Sequence, residues 1–159
     1  MSEKDRLFAI SLDDAGLPPP SPQEEQERRV AVFDLAEANA FALPSGAPQG
    51  PYSLDLSVDG NRLKFHLETE AGAFAQSFEI SIVQFRRVAR DYFQICDAYQ
   101  DAVKRLPPAD IERFDEARRS IHEDGAATLQ SAMSPHAQID MATARRLFTL
   151  ICVLFPRSV

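Results

Sequence analysis

The sequence predicts an α+β domain: a small antiparallel sheet, an N-terminal strand plus a three-stranded meander, covered on one face by four helices in the order β-α-β-β-β-α-α-α. Three observations carry this. Apolar and polar residues alternate through most of Tyr52 to Ile82, the period of half-buried strands. Four other stretches space their apolar residues as amphipathic helices do. One of these holds Leu147 to Phe155, a nine-residue run that is almost wholly apolar. A helix needs roughly 20 such residues to cross a bilayer, so the run predicts a buried helix at the centre of the core.

In chain order, Leu7 to Leu12 places Phe8, Ile10 and Leu12 on one face and Ser11 on the other, as an edge strand would. Gly16 to Pro22 is a stiff, extended connection. Ser21-Pro22-Gln23-Glu24 then reads as a capping box with proline at the first helical position, starting a helix from about Pro22 to about Asn39. Pro44 to Pro51 consists of turn residues and predicts a surface loop. Tyr52, Leu54, Leu56 and Val58 alternate with Ser53, Asp55 and Ser57, and Asp59-Gly60-Asn61 supplies a hairpin turn. Leu63, Phe65 and Leu67 point inward on the return strand; after Gly72, Phe74, Phe78, Ile80 and Ile82 do so on a third.

The second helix is expected over Gln84 to Lys104, with a stripe of Phe85, Val88, Tyr92, Ile95, Cys96, Tyr99 and Val103 and a polar back holding Arg86, Arg90, Asp97 and Asp101. Pro107-Pro108 breaks it. A third helix runs from about Ala109 to Met133, with Gly125 as a candidate kink, and the fourth opens on Asp140 as N-cap and ends before Pro156. A chain of 159 residues, 45% hydrophobic, fits one domain with a proper core.

Net charge is −7, divided as −8 over residues 1–83 and +1 over 84–159. General nucleic-acid binding, which needs a net basic surface, is excluded by that balance. Cys96 and Cys152 lie in apolar helical stretches without metal-ligand or disulfide spacing, so they are expected to be reduced, as in a reducing compartment. The charged opening, Met1 to Arg6, is unlike a signal peptide, and a cytosolic protein is expected.

Positive charge is almost all guanidinium, since there are only three lysines, and each predicted helix carries an adjacent arginine pair: Arg28-Arg29, Arg86-Arg87, Arg118-Arg119 and Arg145-Arg146. Arg118 falls inside the apolar stripe of Ile111, Phe114, Ile121, Gly125 and Leu129, with His122 one turn on. Arg29 poses the same question beside Val30, Phe33, Ala36 and Ala40. Inward arginines either meet carboxylates, such as Asp91 or Glu37 from neighbouring helices, or bind an anion, because an unpaired buried guanidinium is costly.

Arg86, Arg87 and Arg90 lie off the stripe of the second helix together with Phe93, a composition suited to a partner surface. His66 is predicted on the wet sheet face and His136 in a loop. His122-Glu123-Asp124 diverge around a helix and form no metal or acid/base site. No nucleophile motif and no glycine-rich phosphate loop is present, so no catalytic residue, metal or cofactor is assigned. The leading expectation is a non-enzymatic cytosolic protein-interaction or regulatory module with an unspecified protein partner. The alternative is a small-anion (phosphate or carboxylate) binding protein or enzyme using Arg118, His122 and Arg29.

The runs ERRVAVFDLAEANAF from Glu27, GPYSLDLSV from Gly50, FRRVARDYFQICDAY from Phe85, ARRSIHEDG from Ala117 and TARRLFTLICVL from Thr143 together resemble uncharacterised protein family 0262, a bacterial family. The resemblance covers most of the chain and is weaker at Leu17 to Pro22 and Phe155 to Val159. It implies no activity, cofactor or catalytic residue.

Overall fold

A computed structural model describes residues 2–13 and 19–154, apart from the side chain of Gln23. The expected connection from Gly16 lies partly outside the described residues, and Phe155 and the helix stop at Pro156 lie wholly outside them. The elements are β1 (Leu7–Asp13), α1 (Pro22–Glu37), β2 (Phe41–Ala42), β3 (Tyr52–Asp59), β4 (Arg62–Thr69), β5 (Phe74–Ser81), α2 (Val83–Arg105), α3 (Pro108–Met133), β6 (Gln138–Ile139) and α4 (Met141–Leu154). The α+β class and the order of the main elements are as the sequence predicts.

The large sheet runs β1-β3-β4-β5. β3, β4 and β5 form the expected antiparallel meander, with Leu54 opposite Leu67, Leu56 opposite Phe65, and Phe65 opposite Phe78. β1 differs from the expectation, because it pairs with β3 in parallel. The intervening α1 explains this: a helix between two strands carries the chain back to the end where it started, so the second strand runs the same way as the first.

Two side chains also leave the faces assigned by alternation. A register shift between Leu7 and Ala9 turns Leu7 inward and leaves Phe8 exposed. A second shift, where Glu68 faces Phe74, turns Ala75 inward and exposes Phe74 against His66, ring centroids 5.6 Å apart. An extra residue in a ladder shifts every later side chain to the other face. β2 and β6 form a separate two-residue antiparallel ladder with no counterpart in the sequence reading.

One face of the sheet is dry. Leu54, Leu56, Leu63, Phe65, Leu67, Phe78 and Ile80 join Phe85, Leu129, Phe148, Leu150 and Ile151 in a single core. α4 sits at its centre, packing against α1 on one side and α3 on the other, while α2 packs against α3. Asp140 caps α4 as expected, its Oδ1 accepting from Thr143 N at 2.9 Å. α3 continues unbroken through Gly125, where the missing side chain admits the Phe148 ring. No helix among the described residues is long and apolar enough to cross a membrane.

α1 is rotated from its expected orientation. Ser21 caps it, accepting from Glu24 N at 3.1 Å, and Ala31 and Leu35 are its buried residues. Val30 is 47% and Phe33 63% exposed, and the Arg29 side chain is 73% exposed while that of Arg28 is 14%. Apolar residues occupy nearly every position from Val30 to Ala36, so the helix has no single stripe. Packing against α4 selects the face.

Candidate functional site

α1 and α2 stand as two walls of a cleft floored by α4, with a volume of about 410 Å³. α2 contributes Tyr92, Phe93, Cys96 and Tyr99; α1 contributes Val30, Ala31 and Asp34; α4 contributes Thr149, Cys152 and Val153. Most of this lining is apolar. Two guanidinium groups, those of Arg118 from α3 and Arg146 from α4, reach it. The same helical spacing that marks Tyr92, Cys96 and Tyr99 as core leaves them half-buried, packed on α3 and α4 on one side and lining the cleft on the other.

Arg118 has a carboxylate from its own helix. Its Nη2 donates to Asp115 Oδ1, and Arg119 Nη2 holds the other oxygen, Oδ2, at 3.0 Å. The expected partners Asp91 and Glu37 are not the ones used. The Arg118 side chain is 35% exposed and its Cζ lies 4.6 Å from the centroid of the Tyr99 ring, a cation-π stack. Burial opposes its charge, but Asp115 outweighs that and raises its pKa above the ordinary guanidinium value. Because Asp115 is shared, Arg118 can turn to a ligand without leaving that carboxylate unpaired.

His122 stands behind the cleft. Its Nε2 lies 2.7 Å from Thr149 Oγ1, and that hydroxyl donates its only proton to the Arg145 carbonyl at 3.1 Å. With the hydroxyl proton assigned to that carbonyl, the oxygen accepts from His122 Nε2, and the tautomer is set by that assignment. Tyr92 and Phe148 enclose the ring, each with its centroid 5.3 Å away. Burial, then Arg145 and Arg118, outweigh the opposing pull of Glu123 and lower the His122 pKa. His122 thus reaches the cleft through Thr149, as a support for its floor.

This yields a pH prediction. The unfolded histidine takes a proton near its ordinary pKa of about 6.5, whereas the folded one resists it. Proton uptake by the unfolded state alone means that this stability is complete above about pH 6.5 and falls as pH drops through the folded value. Urea unfolding from pH 7.5 to 5.5 should show a smaller decline for His122→Gln than for the parent. Equal slopes would contradict it.

Tyr92 on the α2 wall and Cys152 on the floor are uncharged at neutral pH. Burial, reinforced by Cys96, pushes both the Tyr92 phenol and the Cys152 thiol well up. Cys96 and Cys152, neither of them in a disulfide, line the same cleft. Arg146 Nη1 donates to the Ala38 carbonyl at 2.6 Å, tying α4 to the end of α1.

The remaining sequence candidates separate. Arg29 faces away, paired with Glu25 at 3.4 Å, so it does not bracket an anion with Arg118; Arg28 is the inward member of that pair. Arg86, Arg87 and Arg90 are exposed, Arg86 hydrogen-bonding Asn61 Oδ1. Phe93 parts from them, lining the cleft and packing on the core. Among the described residues, no group of three or more His, Cys, Asp or Glu side chains is placed to hold a metal ion.

Relatives share this sequence almost end to end. It is 56% identical to a UPF0262 protein of Paracoccus denitrificans (strain Pd 1222), covering 95% of this chain and 96% of that one. With a UPF0262 protein of Roseobacter denitrificans the identity is 53%, over 94% of this chain and 96% of the relative. A third, from Jannaschia sp. (strain CCS1), is 56% identical over 91% and 94%. No solved structure matches. The match to the family model extends over residues 4–157, and the chain belongs to the uncharacterised protein family UPF0262.

Proposed function

We propose that the protein is a cytoplasmic, non-enzymatic binding protein that takes a small organic anion in the α1–α2 cleft, with Arg118 as the anchoring group. One observation carries this reading: a partly exposed guanidinium, stacked on Tyr99, stands at a mostly apolar cleft of ligand size. Pockets of about 300–1,000 Å³ with mostly apolar walls and a few placed polar groups are the usual form of small-molecule sites.

The test is a thermal-shift screen of anionic metabolites. A ligand at 100 times its dissociation constant adds about 2.7 kcal/mol of stability, and a flat screen would count against the reading. Arg118→Leu should abolish any such shift. The ligand-free variant should lose only about 1 kcal/mol, the scale of a partly exposed ion pair with a cation-π contact, because Asp115 keeps Arg119. A loss of several kcal/mol would make Arg118 a structural residue instead.

A second reading has its own support. α2 begins without a side-chain cap and carries exposed Arg86, Arg87 and Arg90 in its first turns, beside the positive end of the helix dipole. An acidic protein segment fits there. Salt-sensitive binding of a polyglutamate peptide, lost when all three arginines become alanine, is the expected result; no binding at low salt removes this reading.

A further inference from the structure

We propose that the ligand of the α1–α2 cleft is an amphiphilic monocarboxylate, its single carboxylate on Arg118 and its apolar body laid along Tyr92, Phe93, Tyr99 and Val153. This rests on the cleft-binding reading above and names the chemistry of the occupant. Charge complementarity carries it. Of the two cationic side chains in the cleft, Arg146 is engaged with the Ala38 carbonyl at the end of α1. Arg118 is the one whose carboxylate, Asp115, has a second holder in Arg119.

The facing wall is acidic, since α1 brings Asp34 and Glu27 to the same cleft. A ligand bearing one negative charge satisfies Arg118. A second or third negative charge has only Arg146 to meet it, a guanidinium already tied to the Ala38 carbonyl, and shares the cleft with those two carboxylates, so phosphate and di- or tricarboxylates are disfavoured. Tyr99 covers one face of the Arg118 guanidinium, leaving the N–H edge for a planar, two-point grip on a carboxylate. Beyond that head group the cleft offers Tyr92, Phe93, Tyr99 and Val153, with Tyr92 and Cys152 uncharged, and against them a charged tail loses its water and an apolar one gains.

Isothermal titration calorimetry and thermal shift with a fixed panel test it: octanoate, decanoate and dodecanoate below their micelle concentrations, decanol, decyltrimethylammonium, citrate and inorganic phosphate. Monocarboxylates should bind and raise the melting temperature, each added methylene that enters the cleft tightening binding about fourfold. Decanol, the cationic amphiphile, citrate and phosphate should bind at least about tenfold more weakly, the scale of a charge-assisted hydrogen bond. Arg118→Leu should cost decanoate a similar factor. Val30→Glu, an exposed change on the cleft wall that leaves the core intact, should weaken it too by adding negative charge beside the carboxylate.

Arg118-dependent binding of citrate or phosphate in preference to decanoate would overturn the monocarboxylate class while leaving the cleft as an anion site. Decanol binding as tightly as decanoate, or decanoate binding unchanged in Arg118→Leu and Val30→Glu, would overturn carboxylate recognition in the cleft. If no member of the panel binds but another small anion does so through Arg118, the class falls and the anion site stands. If no anion binds at all, both fall.

Discussion

Gly125→Ala should destabilise the protein by about 2–3 kcal/mol, at the upper part of the range for an overpacked core. At an ordinary helix position the same change stabilises by up to about 1 kcal/mol, so the sign itself is diagnostic. A Cβ on Gly125 would lie 2.5 Å from Phe148 Cε1 and Cε2, well inside van der Waals contact. Phe148 cannot swing aside, because its side chain is fully buried, with His122 against it at 5.3 Å between centroids and Tyr92 at 6.2 Å. Either α3 lifts from α4 or the ring is pushed into the support of the cleft floor.

Thermal unfolding should show a drop of roughly 5–10 °C, taking about 2–4 °C per kcal/mol for a chain of this size. The double variant Gly125→Ala/Phe148→Leu should lose less than the sum of its parts, because the smaller side chain removes the overlap. Strict additivity, or a stabilised Gly125→Ala, would mean that the close approach of α3 and α4 is not set by this pair.

Much of this arrangement was legible because it depends on period and chain chemistry. Tyr52, Leu54, Leu56, Leu63, Phe65 and Leu67 alternate without interruption, and all six are buried. Asp140 was readable as a cap because a short oxygen-bearing side chain before an apolar helix has few other roles. Phe8 and Phe74 leave the face that alternation assigns them because a ladder shift leaves no trace in composition, and either neighbour of a bulge can turn inward. Arg29 departs from its expected face for a related reason: where a helix is apolar nearly all round, as from Val30 to Ala36, the contact with α4 chooses the face, and that contact is tertiary.

The candidate site divides the same way. Arg118 is visible in the sequence because a guanidinium in an apolar stripe needs a partner, and an i−3 neighbour, Asp115, rather than a carboxylate from another helix, supplies it. The cleft was hidden because Tyr92, Cys96 and Tyr99 obey the same spacing whether a helix covers them or not. The angle of Phe93 around α2 places it with Arg86, Arg87 and Arg90, yet it belongs to the cleft wall because the open side of α2 extends that far.

Asn39→Ala should cost about 2–4 kcal/mol, an effect no sequence pattern announces. α1 ends without a glycine at its C-cap and without a basic residue in its last turn, so its terminal carbonyls need partners from elsewhere. Asn39 supplies one, its Nδ2 donating to the Leu35 carbonyl at 2.8 Å. The same side chain holds β1: Oδ1 accepts from Leu7 N at 2.7 Å, and Nδ2 donates to the Leu7 carbonyl at 2.9 Å. One amide thus mimics a neighbouring strand at the edge of the sheet and caps a helix. Leu7 is fully buried, so truncation leaves its N–H and C=O without these partners, at about 1–3 kcal/mol for each buried group left unsatisfied.

Asn39→Asp sharpens the test. It keeps an acceptor for Leu7 N but replaces the donor with a second oxygen facing two carbonyls, so it should be at least as damaging as alanine at pH 7. Partial recovery is expected in acid, where a protonated carboxyl can donate again. Urea unfolding of both variants at pH 7 and pH 4, each referred to the parent at the same pH, decides it. An aspartate variant as stable as the parent at pH 7 would show that the two carbonyls do not depend on Asn39, and that the end of α1 is held by Arg146 on Ala38 and by Thr143 Oγ1, which accepts from Ala40 N at 2.8 Å.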